Sequence, residues 1–163
     1  MTREPMNRDQ MIAHLRAANA VAREAAAHGH HPFGAVLVGP DGQILMRQGN
    51  LDVVRHAETE LARRAAAAYR ADTLWQCTLV TTFEPCAMCA GTLYWANIGA
   101  LVYGADEARL AALTGTSQEN PTMALPSRTV LSSGQKQIAV HGPFPEIEDE
   151  LIAPHRDFWA SNP

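Results

Sequence analysis

The chain has 163 residues, of which 47% are hydrophobic and 18% charged, and its formal net charge is −4. That length suits one domain around one core, and the composition excludes a disordered chain. The acidic balance argues against a surface built to neutralise phosphates, and the apolar runs are too short to span a bilayer. The polar stretch Met1–Gln10 lacks the apolar run of a signal peptide, so the expected location is the cytoplasm. Three cysteines, an odd number, do not read as a disulfide framework.

In chain order, Asn7–His28 carries apolar residues at Met11, Ile12, Leu15, Ala18, Ala22 and Ala25, the spacing of an amphipathic helix, and Gly29 can end it. Phe33–Val38 reads as a strand. Gly39-Pro40-Asp41-Gly42 is a turn signal, and Gln43–Arg47 returns as the second strand of a hairpin. Alanine-rich Ala57–Arg70 reads as helix, Thr78–Thr82 as strand, Cys86–Ala96 as helix behind Pro85, and Ala100–Tyr103 as strand. Strands alternating with helices predict a sheet covered on both faces, an α/β fold in the form of a three-layer α/β/α sandwich. Thr114–Pro126 is rich in Thr, Ser, Asn and Pro and reads as a long loop of the kind that often carries function. Gln137–Val140 is a candidate last strand. Glu146–Trp159 suggests a C-terminal helix that Pro154 should break or restart. The whole chain, 1–163, reads as one domain, with 141–163 as a candidate C-terminal lid.

The chemistry concentrates in His56-Ala57-Glu58 and Pro85-Cys86-Ala87-Met88-Cys89. Catalytic zinc takes three protein ligands and leaves a fourth position open. Cys86 and Cys89 are three apart, which puts both on one face of a helix, at an N-terminus that favours thiolates. His56 supplies a nitrogen ligand. Glu58, two residues on, reaches the open side of the metal without ligating it. It can take a proton from a water acidified by zinc and hand it to a leaving amine. No second Cys-x-x-Cys completes a structural four-ligand site, and a redox pair would not need His56 or Glu58. Cys77, in an apolar run, reads as a small core residue. His28, His30 and His31 read as helix-end and loop residues rather than a second metal site. His14 and His141 have no nameable partner, and His155 could join the lid.

The pattern His-x-Glu…Pro-Cys-x-x-Cys is the signature of zinc base deaminases. From about Pro32 to Gly104 the chain resembles the cytidine deaminase superfamily, in its branch of bacterial guanine deaminases, cytosine deaminases and tRNA adenosine deaminases. The resemblance rests on Pro32–Val38 and Thr82–Gly91. It implies a five-stranded mixed sheet, a zinc ion, and a homodimer with neighbouring active sites. By the same resemblance Asn50 hydrogen-bonds the substrate ring, although a turn-forming Asn is the alternative. The backbone N–H of Ala57, together with Glu84 and Pro85, would lie against the substrate. Phe33 either stacks on the ring or belongs to the core, and Glu84 either touches substrate or caps its helix.

Tyr94-Trp95-Ala96 and the tail to Asp157-Phe158-Trp159 resemble guanine deaminases, in which a C-terminal segment covers the site. Phe158 and Trp159 are accordingly candidates for substrate contact, with helix packing as the alternative. Guanine deaminases also place an acidic residue after the fourth strand, for which Glu119 is the first candidate and Asp106 the second. The reading is a zinc-dependent hydrolytic deaminase of a free nucleobase, guanine or a related aminopurine or heterocycle, with no nucleic-acid or membrane partner. Two rivals stand beside it: a tRNA adenosine deaminase, for which Arg55, Arg63, Arg64 and Arg70 are too few to form a basic groove, and a non-catalytic zinc-binding domain, for which Glu58 would be superfluous.

Overall fold

The computed structural model describes residues 1–114 and 121–161. Helix α1 (Arg8–Ala27) starts at a capping box: Asn7 accepts from the Gln10 backbone N–H at 2.8 Å, and Gln10 accepts from the Asn7 N–H at 2.9 Å. A hairpin of β1 (Gly34–Val38) and β2 (Ile44–Gly49) follows. Then come α2 (Ala57–Ala68), a short α3 (Ala71–Trp75), β3 (Thr78–Phe83), α4 (Ala87–Trp95) and β4 (Ala100–Ala105). The chain continues through α5 (Glu107–Thr114), α6 (Ser127–Ser132), β5 (Ala139–His141) and a 3₁₀ turn (Pro145–Ile147) into α7 (Glu148–Ser161).

The strands form one mixed sheet in the order β2-β1-β3-β4-β5. β1 runs antiparallel to both β2 and β3, whereas β3, β4 and β5 are parallel. Alternation along the strands builds two cores. Val36, Val38, Val80 and Val102 pack with α1 and α7, while Ala35, Leu37, Leu79 and Leu101 pack with α2 and α4. Each fully buried Leu or Val contributes roughly 1.5–3 kcal/mol, and both faces of the sheet are covered, as a three-layer sandwich requires. Gly34 lets α1 lie on the start of β1, because a Cβ there would fall 2.2 Å from the Ala18 carbonyl oxygen. Cys77 is fully buried, as its apolar setting suggested.

Three features depart from the sequence reading. Two short helices, α5 and α6, flank the expected loop, of which residues 115–120 lie outside the described chain. A further short helix, α3, follows α2. Most tellingly, α7 runs through Pro154 without a break. A proline lacks the N–H that would bond the carbonyl four residues back. Here that carbonyl, Glu150 O, accepts from Asn19 Nδ2 of α1 at 3.0 Å instead. A tertiary hydrogen bond replaces the missing helical one, so the helix continues.

Candidate active site

The N-termini of α2, α4 and α5 converge where β1 begins and where β2, β3 and β4 end. His56 is the N-cap of α2 and Cys86 the N-cap of α4. The loop before α2 is held by Asp52, whose Oδ1 accepts from the backbone N–H groups of Val54 and Arg55 at 2.9 and 2.6 Å. That turn brings the Val53 carbonyl within 3.0 Å of His56 Nε2. With its proton donated there, the ring leaves the Nδ1 lone pair facing the cysteines.

His56 Nδ1 lies 3.6 Å from Cys86 Sγ and 3.4 Å from Cys89 Sγ, and the two sulfurs are 3.6 Å apart. A tetrahedral zinc with bonds of about 2.3 Å to sulfur and about 2.0 Å to nitrogen would set S···S near 3.8 Å and N···S near 3.5 Å. The three donors therefore stand at the spacing that zinc requires, and they are the one such group of His, Cys, Asp or Glu among the described residues. The contact between the two sulfurs, with His56 beside it, draws Cys86 down from the ordinary thiol range, while that same contact and burial push Cys89 up. Thr59 Oγ1 donates to Cys89 Sγ at 3.2 Å, supporting negative charge on that sulfur.

Glu58 is 5% exposed, and burial holds its carboxyl above the ordinary carboxylate range. Thr81 Oγ1 donates to its Oε1, which fixes the carboxyl group, and Oε2 stands 3.6 Å from Cys89 Sγ. The carboxyl thus borders the three donors without belonging to them.

These residues sit in a cavity of about 490 Å³. Asn50, Phe33 and Glu84, three of the candidates for substrate contact, also line it. Asn50 is 3% exposed and gives one amide hydrogen to the Asp52 carbonyl at 3.1 Å, keeping its other hydrogen and its oxygen for other partners. Phe33 packs edge-on against Phe83, which lines the cavity too. Glu84 caps a helix, but not its own: its Oε2 accepts from the backbone N–H and the hydroxyl of Ser127, at 3.0 and 2.8 Å, at the start of α6.

Other expected contacts lie behind the wall. Ala57 and Pro85 are buried beside the site but do not line the cavity. Phe158 and Trp159 pack against His31, which does line it. His155 is fully buried behind Phe33 and Phe83, with ring centroids 4.9 and 4.6 Å away. Glu119 lies outside the described residues. Asp106 turns back to accept from the Arg109 backbone N–H at 3.0 Å and is not on the wall. The acid that does face the cavity after β4 is Glu107, which the sequence reading passed over. Burial and the neighbouring acidic groups raise its carboxyl to about 7.

A sheet edge carrying one His, two Cys and a buried Glu at the mouths of two helices defines the zinc-binding deaminase class. Residues 8–105 match the Cytidine and deoxycytidylate deaminase zinc-binding region, and the chain belongs to that family. A probable cytosine deaminase of Schizosaccharomyces pombe is 39% identical over 152 residues, 91% of each chain. The guanine deaminase of Bacillus subtilis is 40% identical over 79 residues, 46% of this chain and 51% of that one. Among solved structures, a protein in complex with 2,6-diaminopurine superposes with a TM-score of 0.75 at 25% identity, over 94% of this chain and 83% of that one. A structure from work on tRNA:A34 deaminases superposes with a TM-score of 0.66 at 29% identity, over 88% and 99%. Membership marks the chain as a hydrolytic deaminase. No helix among the described residues is long and apolar enough to cross a membrane.

Proposed function

We propose that this protein is a zinc-dependent aminohydrolase of a free nucleobase, guanine or a related aminopurine or heterocycle. The observation that carries the reading is Glu58, fixed by Thr81 and set beside three donors at zinc spacing, in a cavity large enough for a purine. His56, Cys86 and Cys89 would hold the metal, which would supply Lewis acidity that favours ionisation of water near neutral pH. Glu58 takes a proton from the attacking water and delivers it to the leaving amine. The water oxygen bonds to the ring carbon, the C–N bond breaks and ammonia departs. Asn50 hydrogen-bonds the ring edge, and Phe33 and Phe83 offer aromatic surface to the ring.

Charge supports a small neutral substrate. The described lining residues include the carboxyls of Glu58, Glu84 and Glu107 and no Lys or Arg, so a phosphate would meet repulsion. The arginines available to a tRNA reading are already engaged. Arg55 pairs with Asp52, Arg63 with Glu60 and Arg70 with Asp72, and Arg64 donates to the Arg47 carbonyl and Gln48. The relatives support a nucleobase substrate, since one is named a probable cytosine deaminase, one a guanine deaminase, and one is in complex with 2,6-diaminopurine. Cytosine is the second reading, on the strength of the first of these.

The residues 1–163 work as one deaminase domain in this reading, and within the candidate lid 141–163 the described residues cover the site from behind, through His155 and Trp159, rather than as a flap over its mouth. A homodimer is part of the same proposal. Val53 and Val54, before α2, are 67% and 62% exposed, and Trp95, at the end of α4, is 81% exposed, apolar groups that a second copy would bury. Sedimentation equilibrium should give twice the chain mass, and a monomer at micromolar concentration would remove the dimer from the proposal.

The reading is tested by ammonia release from the zinc-loaded protein. The panel holds guanine, adenine, cytosine, isocytosine and aminotriazines, with guanosine, cytidine and a tRNA anticodon stem-loop alongside. Turnover of a free base is expected, and Glu58→Ala should abolish it while retaining zinc and fold. Activity confined to the stem-loop would establish the tRNA reading instead. Unchanged turnover in Glu58→Ala would defeat the mechanism.

A further inference from the structure

Pro121, Thr122 and Met123 line the cavity, and Pro121 and Met123 are also exposed, so they stand at its mouth. They open a strap, residues 121–126, that reads Pro-Thr-Met-Ala-Leu-Pro and belongs to no helix or strand. Its two prolines have no N–H to give to a backbone ladder. Two carboxyls of the cavity wall hold it. The Met123 backbone N–H serves Glu107. Just past the other end, Glu84 Oε2 accepts from both the backbone N–H and the hydroxyl of Ser127, at 3.0 and 2.8 Å. The Glu84 side of that junction is the fixed one. Its own N–H donates to the Ala105 carbonyl at 2.8 Å, carrying the β3–β4 pairing one step further, and Cys86, two residues on, caps α4. Ser127 is fully buried. Beside it, Arg128 donates to the Tyr103 hydroxyl at 2.7 Å and to the Gly142 carbonyl at 3.0 Å, so the start of α6 is docked on the sheet.

We propose that Ser127 is a positioning residue for substrate binding: its clamp on Glu84 seats the strap as the outer wall of the cavity, and so sets affinity for the base rather than the rate of the chemical step. This rests on the deaminase reading above and deepens it. Ser127 does not line the cavity itself, so it acts through the strap. Without its hydroxyl only the backbone N–H bond to Glu84 remains, and the strap leaves its seat for part of the time. A base then meets a smaller competent fraction, and apparent affinity falls by that fraction. A bound base restores the seat, so the rate at saturation is kept. The metal donors and Glu58 are held by α2, α4 and Thr81 of β3, none of which belongs to the strap.

The test measures kcat and KM for guanine and for cytosine in the zinc-loaded wild type, Ser127→Ala and Ser127→Thr, and follows backbone hydrogen exchange over 122–125 with and without base. Ser127→Ala should raise KM about 10-fold, the weight of one hydrogen bond to a charged group, with kcat and zinc content unchanged. Exchange should quicken over 122–125 and not over α2 or α4, and added base should slow it again. Ser127→Thr keeps the hydroxyl and should return KM and exchange to the wild-type values. An unchanged KM in Ser127→Ala would overturn the assignment, and so would a lower kcat at unchanged KM. Should Ser127→Ala fail to fold, the wild type decides: base should slow exchange over 122–125, and no slowing would overturn the seat. Silence of the wild type on both bases would instead remove the free-base reading, and this assignment with it.

Discussion

At the scale of single residues, the metal donors are shaped by groups that never touch the metal. The Val53 carbonyl fixes the His56 tautomer. Thr59, 8% exposed, donates to Cys89, and Thr81 donates to Glu58. Partners of this kind orient ligands and stabilise their charged forms. Thr59→Val keeps the shape of the side chain and removes only the hydroxyl. Chelator competition should show zinc affinity reduced about 10- to 100-fold, with the fold intact by circular dichroism. Equal affinity in the two proteins would mean that the Thr59 hydroxyl does not support the thiolate. Glu58 is untouched by this change, so any drop in turnover should be recovered by excess zinc.

At the scale of elements, legibility followed locality. The ligand set was readable because all three ligands sit at or beside helix N-termini, in short motifs whose spacing survives folding. The sheet was readable because its alternating strands and flanking helices are local patterns. Glu107 was not readable by the same means. Asp106 and Glu107 are adjacent carboxylates, and the resemblance points to Asp106. Folding separates them, because Asp106 accepts the Arg109 N–H as a helix cap and Glu107 turns to the cavity. The signal available was an Asp followed by a short helical run, which reads as an N-cap and frees the residue after it. The continuity of α7 was out of reach in a different way. It depends on Asn19, 131 residues from the carbonyl it satisfies, and no local window contains both. Glu84 is a third case: capping was foreseen, but the helix it caps begins 43 residues later.

At the scale of the whole molecule, the C-terminal helix ties the stability of the fold to the shape of the pocket, through His155. Its Nδ1 accepts from Trp159 Nε1 at 3.2 Å, so the neutral ring carries its proton on Nε2. Burial pushes its pKa down to about 3, with the Pro32 carbonyl opposing the shift and His31 adding to it. In the unfolded chain a histidine titrates near 6.5. Between those values the unfolded chain binds a proton that the folded one refuses, so stability falls as pH falls. The slope is about 1.4 kcal/mol per pH unit, and nothing is lost above about pH 6.5. Lowering the pH from neutrality to 5 should therefore cost about 2 kcal/mol through this residue, or about 4–8 °C in Tm for a chain of this size. His14 and His141 are also held down by burial, and Glu107 is held up, so the wild-type slope alone is a sum. Urea unfolding of the zinc-loaded protein at pH 7, 6 and 5, wild type against His155→Phe, isolates the term. The variant should lose some stability at pH 7, where Trp159 loses its acceptor, and its acid slope below pH 6.5 should be shallower by about 1.4 kcal/mol per unit. Parallel slopes would show that His155 takes up its proton in the folded state. In that case α7 does not hold a neutral ring against Phe33 and Phe83, and the rear wall of the pocket is not the rigid surface that the packing describes.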